Sequence, residues 1–445
     1  MIQDVQLPTR TGTILTPLSV LSLAAAALLL AGCGSTGNSN STDGADNASG
    51  RSPGSGASAE TGNTGDRKYS VTLDTVLHGS LQTEPEITHG QTLPEGTRIT
   101  LNAQADPGYA LDSVYYSVAG PWGPMYFEST EATMEVTLTQ DISLGASFLP
   151  EKDVAGFSER QDILYAQPGV KPLKYDVFIP EGAQDLPLVI ITHGGGWSSN
   201  DENIMRGMAR EMVRTGRYVV ASIDYRWVGT LDGDARENTV ADLIEDVYGA
   251  VLHIQEHARD YGADPERIAL TGDSAGGHLT AAMATMVERI GSGGFESGNY
   301  RYEPSYLPRG MSLEQARQSL AQAIRVVAPS YGVFGGTHLA QFTRGGTGSE
   351  ELAAISPVAQ IPPAEQRRLP HYLIRGGSDP LITPDMVDEY AEALEAAGHP
   401  VKRVEVPGAG HAFFDWKPDA QTRRTFQRFG VPYIRDMLEF FDQYL

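Results

Sequence analysis

Cysteine is all but missing from this sequence. Cys33 is the only thiol among 445 residues, so no disulfide can form within the chain and no zinc site can be built from cysteines. Positive charge is also scarce: 33 Lys and Arg stand against 56 Asp and Glu, a formal net charge of −23. A field of that sign does not draw a protein to nucleic acid or to anionic lipid, and its ordinary consequence is solubility. Long apolar runs are missing too, with one exception. Residues 14–30, "ILTPLSVLSLAAAALLL", follow Arg10. The run has the length of a signal-peptide apolar region and is short for a bilayer span, which needs about 20 such residues.

The lone cysteine sits directly behind that run, in Leu30-Ala31-Gly32-Cys33. These four residues resemble the lipobox of bacterial lipoproteins. The resemblance implies a leader over 1–33, acylation of Cys33, and a lipid-anchored protein of the bacterial cell envelope. Gly34 stands where an aspartate would mark inner-membrane retention, which favours the outer membrane, on its periplasmic or surface face. The leader's start is only weakly basic and contains Asp4, a departure from the family pattern. Residues 34–67 are rich in Gly, Ser, Asn and Thr, and no apolar side chain in them except Pro53 is larger than Ala. Such a stretch cannot bury enough surface to offset its ordering entropy and reads as a flexible tether.

From 68 to 150 the apolar pattern has period two. "YSVTLDTVL" and "TRITLNAQA" alternate, Met134, Val136 and Leu138 share one face, and turn signals fall at His78, Pro94 and Asp106. This predicts a small all-β module. Its order, "GTRITLNAQADPGYALDSV" and a last strand ending in "ASF", resembles the divergent InlB B-repeat domains of bacterial surface proteins. A spacer is the expected role. Trp122, Tyr126 and Phe127 suit either a glycan-binding patch or core packing.

From 153 to 445 short β-branched runs alternate with helical stretches over 203–215, 238–261, 275–288, 383–397 and 423–444. The fold class expected is α/β, a mostly parallel sheet covered by helices on both faces. "DILYAQ" and "LKYDVFIP" read as an antiparallel hairpin feeding the sheet. Residues 291–321, rich in Gly, Tyr and Pro, interrupt the alternation and are expected to form a partial cap.

Within this half, "IALTGDSAGGHL" runs strand, turn, helix, with Ser274 at the turn and glycine two residues to either side. A serine in a tight strand-to-helix turn stands exposed above the helix N-terminus, where free N–H groups favour developing negative charge. A serine hydroxyl needs a base to attack, and the base needs an orienting acid. The last two apolar strands end in Asp379 ("GGSDPLI") and His411 ("GAGHAFF"), one βα unit apart. His253 and His257 fall within a helix, His278 within the serine helix, His371 at a strand start, and Asp385 and Asp388 on a solvated helix face. "HGGGW" from His193 supplies a loop whose backbone can approach a reacting carbonyl closely.

"HGGGW", "DYR" at Asp224, "GDSAGGHL", "GGSDPLI" and "GAGHAFF" resemble, in this order, the α/β-hydrolases of the hormone-sensitive lipase and bacterial feruloyl-esterase type. The resemblance implies Ser274 as nucleophile, His411 as base and acid, and Asp379 as orienting carboxylate. It implies oxyanion donors at the N–H groups of Gly195, Gly196 and Ala275, with His193 and Asp224 supporting that loop. The implied chemistry is hydrolysis of a small-molecule or glycan-linked ester, with short acyl, acetyl or feruloyl groups, and needs no metal or organic cofactor. Arg375 departs from the histidine usual at its position. A prolyl-oligopeptidase-type peptidase, a kynurenine-formamidase-type amidase and a non-catalytic relative are the alternatives.

Overall fold

A computed structural model describes residues 67–445, apart from 121–122, 233–235, 292–300 and 342–348. The expected leader, Cys33, Trp122 and all but the last residue of the tether lie outside the described residues. Among those described, no helix is long and apolar enough to cross a membrane.

The alternating segment forms eight strands: β1 (Lys68–Leu73), β2 (Gly79–Glu84), β3 (Gln91–Pro94), β4 (Arg98–Ala105), β5 (Tyr109–Gly120), β6 (Gly123–Ser129), β7 (Thr133–Thr137) and β8 (Ile142–Pro150). They build two sheets, ordered β3-β1-β8-β5-β6 and β2-β4-β7. Val71, Ile99, Leu101, Val114, Val136 and Leu144 turn inward to close a small core, as the period of two requires. Tyr126 and Phe127 are half-buried: Phe127 stacks on Tyr116 at 4.7 Å and Tyr126 meets Tyr115 edge-on at 5.4 Å.

The larger sheet has β9 (Phe157–Ala166), β10 (Leu173–Pro180), β11 (Leu186–Thr192), β12 (Val219–Ile223), β13 (Ala263–Asp273), β14 (Ile324–Ser330), β15 (His371–Gly376) and β16 (Val401–Val406). Its order is β9-β10-β12-β11-β13-β14-β15-β16. The β9–β10 hairpin is antiparallel, β10 pairs antiparallel with β12, and from β12 onward neighbours are parallel. Alternate residues of β11 go to opposite faces. Leu188 and Ile190 join the cluster under the helices Val240–His257, Ala275–Thr285 and Leu313–Ala323. Val189 and Ile191 join the cluster under Arg206–Val213 and Val431–Phe441. Burial on both sides is why these strands read as continuous apolar runs.

Two features differ from the sequence reading. The stretch over 423–444 is not one regular helix: a π-helical turn, Phe426–Gly430, joins the helices Ala420–Thr425 and Val431–Phe441. Pro432 is the reason, since it lacks the N–H that would bond back to residue 428. The described part of 291–321 does not roof the site. Ser305 and Tyr306 lie along the helix Val240–His257, where a Cβ at Gly249 would meet them, and the helix Leu313–Ala323 leads into β14.

The β module is not held off as a spacer would be. It belongs to one compact unit with the α/β half, Asn63–Leu445. Asp112 of β5 is fully buried and accepts hydrogen bonds from Arg206 Nε at 3.0 Å, Trp416 Nε1 at 3.0 Å and Arg423 Nη2 at 2.6 Å. Arg206 also pairs with Glu128 of β6, and Arg210 with both Asp112 and Glu159 of β9.

The serine turn packs on the end of β11 with no side chain between. A Cβ at Gly272 would lie 2.5 Å from the Thr192 carbonyl oxygen, and one at Gly276 would lie 2.5 Å from that of His193 and closer still to Thr192. Backbone atoms cannot give way as a flexible side chain does. Gly276→Ala is therefore expected to cost about 3 kcal/mol or more, the upper range for overpacking. Urea unfolding measures this, and a loss under about 1 kcal/mol would show that the turn can retreat from β11.

Candidate active site

Ser274 caps the helix Ala275–Thr285 with φ 52° and ψ −118°. A non-glycine residue held there stores on the order of 1–3 kcal/mol of strain, tolerated because the surroundings over-determine it. Its N–H is tied to the Ser330 carbonyl at the end of β14, 2.9 Å away.

His411, in the loop after β16, places Nε2 3.0 Å from Ser274 Oγ and Nδ1 2.8 Å from Asp379 Oδ2. Asp379 follows β15, and its other oxygen accepts the N–H groups of Leu381 at 2.8 Å and Ile382 at 3.0 Å. A carboxylate can only accept, so it sets the tautomer with the proton on Nδ1 and leaves Nε2 free to accept from the serine. Burial by itself would lower the His411 pKa. The hydrogen bond and charge of Asp379, joined by the charges of Asp273 and Asp415, outweigh it and hold the imidazole above its ordinary 6.5. Burial likewise opposes ionisation of Asp379, and the bond to His411 with the two N–H groups prevails, keeping its pKa below the usual carboxylate value.

The competing groups are elsewhere. His253 bonds Tyr175 at 3.1 Å, and His371 is buried against Tyr390 at 3.0 Å. His257 faces Asp260, Asp385 is exposed, and Asp388 pairs with Arg403 at 2.9 Å. Arg375 donates to the Gly376 carbonyl at 2.6 Å and to Glu405, on the strand next to its own.

The glycine loop after β11 runs beside Ser274. Gly195 has φ 122° and Gly196 φ 61°, both in the left-handed range that glycine adopts without strain. Among the described residues, neither has a hydrogen-bond acceptor for its N–H. Ala275, first in its helix, has none within the helix ladder. The Gly194 N–H differs: it donates to Asp273 Oδ1 at 2.7 Å. His193 is fully buried, with Nδ1 2.6 Å from the Gly194 carbonyl and Nε2 3.3 Å from Asp224, and it stacks on Tyr225 at 4.2 Å.

Five residues in this network escape sequence reasoning. Lys171 reaches Asp224 at 2.7 Å from the loop between β9 and β10. Trp197 donates to His278 Nδ1 at 3.1 Å, and His278 Nε2 in turn meets the Ile355 carbonyl at 2.7 Å, pinning the glycine loop to the serine helix. The Tyr331 ring stands edge-on to His411 at 5.1 Å while its hydroxyl accepts the Phe414 N–H at 3.2 Å. Asp273 is buried, and burial followed by repulsion from Asp415 pushes its pKa up to about 7. Asp273 and His278 lie inside "GDSAGGHL", yet their partners Gly194, Trp197 and Ile355 come from a loop and a helix 77 to 81 positions away, which no local pattern reveals. Among the described residues, no three His, Cys, Asp or Glu side chains are arranged to hold a metal ion.

Residues 69–152 match the divergent InlB B-repeat domain model. The chain is 30% identical to the carboxylic ester hydrolase LipN of Mycobacterium tuberculosis over 247 residues, 53% of this chain and 59% of that protein. It is 32% identical to the esterase LipI of the same organism over 222 residues, 49% of this chain and 62% of that one. The matches thus span about 60% of these relatives' own lengths. A solved structure of Thermogutta terrifontis esterase 2 aligns at 21% identity and a TM-score of 0.47, covering 65% of this chain and 97% of that one. Residues 189–415, just over half of the 445, match the model of the α/β-hydrolase fold. The chain belongs to the α/β-hydrolase family.

Proposed function

We propose that this protein is a serine esterase acting by two-step acyl transfer on short-chain acyl, acetyl or feruloyl esters, small or glycan-linked. The observation that carries the reading is the unbroken hydrogen-bond line from Asp379 through His411 to Ser274, ending beside unengaged N–H groups. Relatives named as carboxylic ester hydrolase and esterase support it. His411 Nε2 takes the hydroxyl proton as Ser274 Oγ attacks the ester carbonyl. The N–H groups of Gly195, Gly196 and Ala275 receive the oxyanion, each such donor contributing on the order of 10²–10³ in rate. The proton then passes to the leaving alkoxide, and water repeats the cycle on the acyl-enzyme. Asp379 stabilises the imidazolium that forms between the two transfers. An alkoxide needs less protonation help than an amine, which favours esters over peptides as the substrate.

Ser274→Ala is expected to abolish hydrolysis of p-nitrophenyl esters, and Asp379→Asn to lower kcat by about 10⁴ through the wrong histidine tautomer. Acetate and butyrate esters should be cleaved faster than palmitate, and proline-linked chromogenic peptides not at all. A peptide kcat/KM above that for the acetate ester would move the protein to the peptidase class.

The pH profile follows from His411. Its neutral form is the base, and its pKa is raised above 6.5. Activity should therefore be full on the alkaline side and fall as pH drops through that raised value. An acid limb of kcat/KM centred below 6.5 would mean that another group takes the proton.

We further propose that Cys33 carries a lipid that anchors the mature protein to the cell envelope. The support is the Leu30-Ala31-Gly32-Cys33 sequence behind an apolar run. Cys33→Ser should move the protein from the detergent phase to the aqueous phase on phase partitioning, and unchanged partitioning would refute the anchor.

A further inference from the structure

We propose that Asp112, in the β module, is a positioning residue for the active site, holding in register the His411 loop and the segment that follows the glycine loop. This rests on the reading of His411 as the base. The side chain of Asp112 is fully buried, and every cation or indole it accepts from belongs to the α/β half. Those donors come from two places that matter to the chemistry.

The first is the His411 loop. Trp416 lies five residues beyond His411, and Phe413 and Phe414 between them are buried. The Phe414 N–H bonds Tyr331, whose ring stands against His411. Trp416 donates Nε1 to Asp112 at 3.0 Å and its backbone N–H to the Ile204 carbonyl at 2.9 Å. Its ring presses on Gly207, where a Cβ would come within 2.6 Å. Arg423 lies over the same ring, 4.7 Å from its centre, while bonding Asp112 at 2.6 Å.

The second is the segment after the glycine loop. The chain leaves Gly196 and Trp197, makes the short turn Glu202–Met205, and enters the helix Arg206–Val213 that carries Arg206 and Arg210. Both guanidiniums converge on Asp112. One carboxylate of the module therefore ties together the two segments that place the base and the oxyanion donors. Three arginines, 206, 210 and 423, are matched by Asp112, Glu128 and Glu159. Neutralising Asp112 leaves buried positive charge in excess at the root of the His411 loop. A module serving only as a tether would have no need to contact these segments.

The test uses the full protein with two variants. Asp112→Asn keeps the shape and removes the charge, and Trp416→Phe removes the Nε1 donor together with part of the ring that packs on Gly207 and under Arg423. Glu135→Gln, on an exposed position of β7, is the control. kcat and KM for p-nitrophenyl acetate and the rate of fluorophosphonate labelling are read at a temperature where circular dichroism shows each variant folded. Both variants should lose about tenfold or more in kcat, the scale for a catalytic group displaced by a fraction of an ångström to 1 Å. KM should stay within about twofold, since the lost interaction is not with bound substrate. Labelling should slow in parallel, and the control should match the parent. A folded Asp112→Asn or Trp416→Phe with kcat and labelling within about twofold of the parent would overturn the proposal. If Asp112→Asn does not fold, Trp416→Phe decides alone. A parent that is labelled but cleaves no ester refutes the esterase reading, and the labelling rates of the variants still decide the role of Asp112. A parent that is not labelled takes both readings down.

Discussion

Everything at this site depends on how closely the serine turn lies against the end of β11. Gly272 and Gly276 place backbone on backbone there, with the Thr192 and His193 carbonyls where side chains would otherwise project. That contact sets the separation between Ser274 and the glycine loop continuing from β11. The carboxylate of Asp273 fastens the same two segments from the other side through the Gly194 N–H, 2.7 Å away. The positive φ of Ser274 follows from this crowding, because a relaxed backbone could not turn from strand to helix in so little space.

The second constraint is electrostatic. Asp379, Asp273 and Asp415 all act on one imidazole and favour its charged form. Such an arrangement is costly to bury, and each carboxylate is partnered: Asp379 by His411 and two N–H groups, Asp273 by Gly194, Asp415 by Lys417. The acidic character of the chain is thus not only a matter of its surface. The same rule explains the junction with the β module, where buried arginines from the α/β half meet carboxylates of the module and of β9. Paired buried charges give little net stability, but they are demanding about geometry. A junction built on them therefore holds neighbouring loops to one arrangement.

The expectation of a spacer came from treating the two halves separately. Asp112 lies in "ALDSV", and nothing in that stretch indicates what its carboxylate meets. It is buried because the arginines of a helix nearly a hundred positions later, with Trp416 and Arg423 more than 300 positions later, arrive on the same spot. Tyr126 and Phe127 show a milder case: their sequence allowed patch or core, and pairing of β6 with β5 put each against a tyrosine ring.

What the sequence determines by itself is whatever short-range physics dictates. Period-two alternation yields the module's strands, and continuous β-branched runs between helical stretches yield a parallel sheet. Ser274 between flanking glycines marks a tight turn, and Asp379 and His411 can be placed at strand ends because a polar residue after an apolar strand has little other choice. Local pattern also separates His411 from His253, His257, His278 and His371, which sit within helices or strands. The tertiary structure alone decides which strand ends are neighbours, because the order β11-β13-β14-β15-β16 is a matter of crossover topology and not of adjacent residues. It alone brings Lys171 to Asp224, His278 to Trp197 and Asp112 to Trp416, contacts spanning from 53 to 304 positions of chain. Their cause is the same in each case: a buried polar group must find a partner, and which one it finds depends on what the whole fold carries past it.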